Sequence, residues 1–455
     1  MLQEFTPELR DSFTYLCDEF KKYNYINADD WVKYDVKRGL RNANGTGVLA
    51  GLTSICDVVG YEMKDGERVP CDGKLIYRGI DVNQIIEANA NEDRYIFEEV
   101  VWLLLFGSLP TIGQMKIMRK VMSELRELPD GFAEDMIMKA PSPNIMNKMA
   151  RSVLALYSYD KNAEDMSLEN SLYQALSLIS VVPTIMVDAY QVKRRVYDKK
   201  SMYFHQLKPE LSTAQNILRI NRSDKKFTEQ EARLLDLCLV LHADHGGGNN
   251  STFTTRVLTS TGTDIYSAIS ASIGALKGPK HGGANIQVMN MLDGIKEGVR
   301  DYNDDDEIKN YLNDTLDKKN GDKSGLIYGM GHAVYTMSDP RATILRKNAK
   351  ELAEQTGMGD DYKLLYAVER LAPELMYQKR KIGNICANVD LYSGLVYKSM
   401  RIPTDLYTPL FAVARMSGWC AHRVEEMLFG NKIIRPAYKY LGETREYIPI
   451  GDRKL

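Results

Sequence analysis

Apolar and polar positions follow a helical period along most of the chain. Met115, Met118, Met122 and Leu125 recur every three or four residues between Thr111 and Leu128, and Pro129 ends the run. That spacing puts one apolar stripe on a helix. Ser142–Tyr157 repeats it through Ile145, Met149, Val153 and Leu156, and the methionines read as flexible core filler. Phe97–Phe106 is apolar nearly throughout and closes on Gly107 and Pro110, which predicts a buried helix. Leu172–Val187 also reads as a buried helix, because Gln174, Ser177, Ser180 and Pro183 break a run that would otherwise be apolar. Pro7–Tyr23 predicts a helix within a charged and aromatic arm at residues 1–40. Residues 42–81 differ. Frequent glycine and patches such as Gly47-Val48-Leu49 and Lys74-Leu75-Ile76-Tyr77-Arg78-Gly79 predict a short hairpin there. The expected fold class is therefore mainly α, multi-helical, with a minor β hairpin near the N-terminus.

Composition narrows the function. A hydrophobic share of 44% and a charged share of 26% over 455 residues suit a globular protein with a large core. The net charge of −2 gives no case for nucleic acid, which calls for a basic face. An anionic substrate would have to be caught by local arginines. The six cysteines are scattered without a CxxC pair, the usage of a reducing compartment, so the expected location is cytoplasmic. The N-terminal MLQEFTPELRD has no apolar core of a leader, and the longest unbroken apolar run, Val100–Phe106, is far short of a membrane span. The acidic run Asp301–Glu307 lacks the glycine and terminal glutamate of a calcium loop and reads as a solvated turn.

Three of the six histidines, His242, His245 and His281, fall between Leu241 and Asn285 beside glycine turns. Thr228-Glu229-Gln230-Glu231 is a capping box opening a helix that runs to Gly246. His242 and His245 would then occupy its last turn, where the helix dipole favours a protonated imidazole. Their i, i+3 spacing also allows a metal site, but no HExxH or matching acidic motif accompanies it, and two structural histidines remain the plain alternative. A helix crowded with small residues follows from about Thr263-Asp264 and stops at Gly278-Pro279. His281 precedes a further helix from about Ala284 to Leu292, where the dipole would keep it neutral and able to donate to a developing enolate.

Downstream, His332 lies in a glycine loop, and Asp339-Pro340 form a helix start that puts Arg341 in a first turn suited to anions. A guanidinium there can grip a carboxylate bidentately. Lys379-Arg380-Lys381 could hold phosphate or could be a solvated turn. Asp390 is a candidate base or a second capping carboxylate. Arg415 falls in the apolar stretch FAVARMSGW, where a lone cation is costly and calls for an anion. Arg435, before Pro436, could be a plain surface residue.

In order, HADHGGGNNST (242–252), GPKHGGAN (278–285), GMGHAVYTMSDPRA (329–342), the long run from Asn388 to Trp419 and IIRPAYKYLG (433–442) resemble the citrate synthase family; LIYRGI (75–80) and the tail REYIPI add to the likeness. The resemblance covers about Asn42 to the end. It implies a mainly α homodimer with a large domain at 41–284 and 396–455, a small domain at 285–395 closing over the site, and the 1–40 arm. It implies no tightly bound cofactor and no metal, with oxaloacetate and acetyl-CoA as substrates and neither nucleic acid nor membrane as partner. By this likeness Asp390 is the base for the acetyl-CoA methyl proton, His281 the donor to the thioester oxygen, and His332 the donor to the oxaloacetate keto group. His245, Asn249, Arg341 and Arg415 would bind substrate, Arg435 would reach the partner's site, and Lys379, Arg380 and Lys381 would meet CoA. Tyr335-Thr336-Met337 stands where the family often has a basic residue; Lys280 and Cys386-Ala387 are further departures. The implied activity is citrate synthase. A 2-methylcitrate synthase using propionyl-CoA and a non-catalytic acyl-CoA-binding relative are the alternatives, with a metal hydrolase on His242 and His245 behind them.

Overall fold

The computed structural model describes residues 6–92 and 94–453. By its contacts the chain forms two compact units, one of residues 52–434 and one of 1–51 together with 435–455.

In the smaller unit, helix Pro7–Tyr23 has the bounds its sequence predicts. Thr6 caps it by accepting from the Leu9 N–H, Pro7 stands in the first turn, and Lys21 and Lys22 lie in the last, where cations suit the dipole. Gly47 makes only an isolated bridge to Arg41, so the Gly47-Val48-Leu49 patch is not a strand. The Ammonium of Lys439 lies 5.1 Å from the Tyr34 ring centre.

The larger unit opens with the sheet. Strands β1 (Cys56–Lys64) and β2 (Glu67–Tyr77) pair antiparallel, and β3 (Ile80–Asp81) adds to β2. The hairpin is longer than its sequence patches suggest. Its turn is Asp65-Gly66, both with positive φ (53° and 82°), the geometry that matches strand twist in a two-residue loop. A register shift between Val59 and Tyr61 bends β1 at Gly60.

The helices pack around one buried rod, Tyr407–Phe429. Every residue from Tyr407 to Val424 is buried, and the rod contacts the helices Phe97–Phe106, Leu168–Val196, Glu229–His242, Asn250–Thr259 and Ile265–Lys277. A helix enclosed on all sides must satisfy each polar group it carries. Arg415, Ser417, His422 and Arg423 therefore stand out on it. The helix Leu168–Val196 is the one candidate among the described residues for a membrane span by length and hydropathy, yet most of its apolar stretch is buried in the protein, as a core helix should be. The helices Ala284–Gly298, Asp305–Leu316, Pro340–Gln355, Gly359–Arg380 and Asp390–Ser399 pack on one another. Asp305–Leu316 begins inside the acidic run, with Asp304 as its cap.

Candidate active site

The helix Glu229–His242 ends at His242, one turn earlier than its sequence predicts, and His245 sits beyond it in the turn to Asn250–Thr259. This corrects the expected charge. The His242 Nδ1–H donates to the Cys238 carbonyl (2.8 Å), and burial, reinforced by the Arg341 and Arg415 charges, pushes its pKa down to about 3. The same causes, with His332 and His281 added, hold His245 well below its ordinary value. A helix C-terminus contributes at most ~2 kcal/mol to an imidazolium, and desolvation outweighs it. Both rings are neutral at pH 7.

Arg415 is fully buried. Its Nε donates to the His242 carbonyl at 2.7 Å and its guanidinium lies over the Phe411 ring, 4.8 Å from the centre. Its Nη1 and Nη2, like His245 Nε2, are buried and find no hydrogen-bond partner among the described residues. Donors left this way cost about 1–3 kcal/mol each. A carboxylate satisfies both guanidinium nitrogens at once.

Arg341 follows the Asp339 cap as its sequence predicts, but its Nε and Nη2 close a fork on Asp339 at 3.0 and 2.8 Å. The bidentate grip expected for a substrate is taken by that neighbour, so a ligand would meet the Nη1 side.

His332 comes from the loop between these helices. The backbone N–H groups of Val334 and Tyr335 donate to its Nδ1 (3.1 and 3.0 Å), which leaves the proton on Nε2. Its ring stacks on Tyr335 at 4.6 Å and meets His245 edge-on at 5.0 Å. A bridge between Met330 and Ala387, with Gly331 N–H to Cys386 O and Asn388 N–H to Gly329 O, ties this segment to the one leading into Asp390.

Asp390 starts the helix Asp390–Ser399. Crowding by protein pushes its carboxyl up to about 7, against the Arg341 and Arg415 charges, which favour ionisation. His281 is held down at about 4 by burial and then by Arg415, so it is neutral as expected but for a different leading cause than the helix dipole. Its Nε2 lies 3.0 Å from Ser251 Oγ, which accepts from Trp419 Nε1 (3.2 Å) and donates to Asn249 Oδ1 (2.9 Å). The indole is a pure donor. With the one Ser251 proton on Asn249 Oδ1, the hydroxyl accepts from His281 Nε2–H; turned toward Nε2 instead, it leaves the imidazole proton on Nδ1. Asn249 thus bears on His281 through Ser251.

The residues from His242 to Asp390 and Arg415 gather here. Others do not. Lys379 pairs with Asp317 at 2.5 Å, Arg380 donates to the carbonyls of Leu316 and Gly325, and Lys381 ends the helix in a left-handed conformation beside Tyr377. Lys379 and Arg380 are thus engaged at the C-terminal end of the helix Asp305–Leu316 and the segment after it. Arg435 is exposed and belongs to the smaller unit. Among the described residues no three or more His, Cys, Asp or Glu side chains group as metal ligands would. Sequence reasoning did not reach Ser251 and Trp419 as partners of His281, nor Tyr335 beneath His332.

A perturbed carboxyl, neutral imidazoles and the unpaired buried guanidinium of Arg415, in a mainly α frame, define an acid/base enzyme. Residues 42–437 match the family model described as citrate synthase, C-terminal domain. A citrate synthase of Synechocystis sp. is 34% identical over 440 residues, covering 94% of this chain and 96% of that one, and a 2-methylcitrate synthase of Shewanella oneidensis is 32% identical over 389 residues, covering 83% and 92%. A solved citrate synthase of Thermoplasma acidophilum, in ternary complex with carboxymethyl coenzyme A and oxaloacetate, superposes with a TM-score of 0.76 at 26% identity, covering 92% of this chain and 99% of that one. The chain belongs to the citrate synthase family.

Proposed function

We propose that this protein condenses acetyl-CoA with oxaloacetate and water to give citrate and CoA. The observation that carries the reading is the pair of buried, unsatisfied guanidinium donors on Arg415, with the unpartnered Nε2 of His245 and a carboxyl pushed up to about 7 on Asp390. The first calls for a carboxylate, and the second is a base poised near neutral pH. Oxaloacetate binds with its carboxylates toward Arg415 and Arg341 and its keto oxygen accepting from His332 Nε2–H. Asp390 takes a methyl proton from acetyl-CoA while His281, with the Ser251 hydroxyl turned to donate to its Nε2, stabilises the enol oxygen through Nδ1–H, as a neutral imidazole can. The enol carbon attacks the polarised keto carbon, and water then cleaves the thioester. Each residue acts as binder, donor or base.

The same reading has residues 285–395 closing as a small domain to keep water from the thioester before the carbon–carbon bond forms. It has a cytoplasmic homodimer in which Arg435 of one copy reaches the other's site, and Lys379, Arg380 and Lys381 meeting CoA phosphates, which requires the first two to leave their present partners. The N-terminal arm is assigned no role in catalysis.

A second donor, propionyl-CoA, is favoured by the likeness to a 2-methylcitrate synthase. One methylene is worth about 1–3 kcal/mol of pocket fit, or 10–200-fold in kcat/KM. Release of free CoA from acetyl-CoA and propionyl-CoA, measured side by side with oxaloacetate present, decides between them. A higher kcat/KM with propionyl-CoA would move the assignment to 2-methylcitrate synthase, and no release with either would remove it.

A further inference from the structure

The β1–β2 hairpin takes no part in the chemistry above, yet its backbone is pressed against the loop that carries His332. A Cβ on Gly73 would stand 2.1 Å from the Ser338 carbonyl oxygen and 2.7 Å from the Tyr335 ring, and one on Gly60 would stand 2.5 Å from the Val334 carbonyl oxygen. Neither position has room for any side chain, and at both the obstacle includes backbone. Hydrogen bonds join the same surfaces. The Gly73 N–H donates to Ser338 Oγ at 3.0 Å, and that hydroxyl donates in turn to Asp72 Oδ1 at 3.0 Å. Thr336 donates to the Gly60 carbonyl (3.4 Å), Tyr335 to the Lys74 carbonyl (3.3 Å) and Arg68 to the Val334 carbonyl (3.3 Å). Arg68 is itself held over the Tyr61 ring, 4.2 Å from its centre.

The contact leads straight to the imidazole. Tyr335 is 1% exposed, its hydroxyl is tied to β2, its ring supports His332, and its N–H helps fix His332 Nδ1. Ser338 adjoins Asp339, the cap of the helix bearing Arg341. Holding Ser338 therefore sets both His332 and Arg341.

We propose that the hairpin is a latch, in which Gly60, Gly73 and the Asp72–Ser338–Gly73 hydrogen bonds are positioning elements that hold the His332 donor in line with the substrate keto group. The proposal rests on the reading of His332 as that donor, and deepens it. A loose loop would still bind an oxo acid through the arginines but would polarise it poorly. Such a defect falls on kcat and on the state of the bound carbonyl more than on KM.

The test follows the 13C resonance of C2 in labelled oxaloacetate bound to the full-length protein, together with kcat and KM. Parent protein shifts the resonance away from that of the free keto acid. Gly73→Ala returns it toward the free value and lowers kcat about 100-fold, the cost of a misplacement near 1 Å, with a smaller change in KM. Ser338→Ala does the same by roughly 3- to 10-fold, the worth of a hydrogen bond. Lys64→Ala, on the exposed end of β1, behaves as the parent. A folded Gly73→Ala protein with parental shift and kcat overturns the latch. Should that variant fail to fold, parental behaviour in Ser338→Ala overturns it instead. His332→Gln separates the two readings: a carbonyl still shifted in that variant overturns the donor role itself, whereas loss in His332→Gln with none in the hairpin variants overturns the latch alone.

Discussion

Replacing Arg415 by methionine should move stability and binding in opposite directions. The side chain is fully buried, and its charge has no salt bridge among the described residues; Asp244 interacts with it only as a nearby charge. Burial lowers the pKa of this guanidinium, which says that the site disfavours the cation when empty. Two orphan nitrogens cost about 1–3 kcal/mol each, against the one charged hydrogen bond to the His242 carbonyl, worth about 1.5–3 kcal/mol. Methionine has similar length and adaptable packing. Arg415→Met should thus leave the ligand-free protein as stable as the parent or up to ~2 kcal/mol more stable, since burying the charge without a partner is the larger expense. Oxaloacetate affinity should fall by about 2–5 kcal/mol, the cost of truncating one side of a buried charge pair. Thermal unfolding with and without oxaloacetate reads both effects. At 100 times its Kd a ligand adds about 2.7 kcal/mol, and that gain should fall to about 0.9 kcal/mol or less in the variant at the same concentration. A variant that melts lower than the parent yet keeps the oxaloacetate-dependent shift would show Arg415 to be a structural residue and refute the reasoning.

Asp390→Ala should lower kcat by about 10²–10⁴, the usual contribution of a general base, while oxaloacetate binding by calorimetry stays nearly intact; equal loss of both would count against its role. Because the base must be ionised and its pKa is pushed up to about 7, kcat/KM should rise with pH through about 7 and then level off. Its folded value exceeds the ordinary 3.8, so the stability this group adds at acid pH is lost as pH climbs through that interval. Asp390→Asn should accordingly gain stability relative to the parent between about pH 4 and pH 7 in denaturant titrations. His422 accepts from Arg256 at Nδ1 and donates from Nε2 to Asp244 at 3.0 Å, and Asp244 in turn accepts from the Gly246 N–H in the His245 turn. His422→Ala should cost about 1–3 kcal/mol for each group left unsatisfied and weaken oxaloacetate binding; unchanged urea midpoint and affinity would dismiss that linkage.

Much of the fold could be read from local pattern. Helices Pro7–Tyr23 and Phe97–Phe106 keep their expected bounds because their stops are local in sequence: a left-handed Gly107 in one, charge and polarity in the other. Asp339 caps as expected because Asp-Pro is a local signal. Asn250–Thr259, rich in Asn, Ser and Thr, is a helix that no apolar stripe announces. Asp65-Gly66 is a hairpin signal that the patches at 47–49 and 74–79 do not include, and the true length of β1 and β2 is missed with it. Charge states were not legible, since His242 and His245 answer to burial and to arginines far along the chain. The partners that orient the chemistry, Ser251 and Trp419 for His281 and Tyr335 for His332, come from contacts that sequence order conceals.

The central claim is that Asp390, His281 and His332 act on one small fragment. The direct measurement is deuterium wash-in at the methyl group of acetyl-CoA in heavy water, with an oxaloacetate analogue that fills its site but cannot condense. The account predicts exchange in the parent protein, none above background in Asp390→Asn or His281→Ala, and retained binding of the analogue in both. Exchange in Asp390→Asn at the parental rate would contradict it.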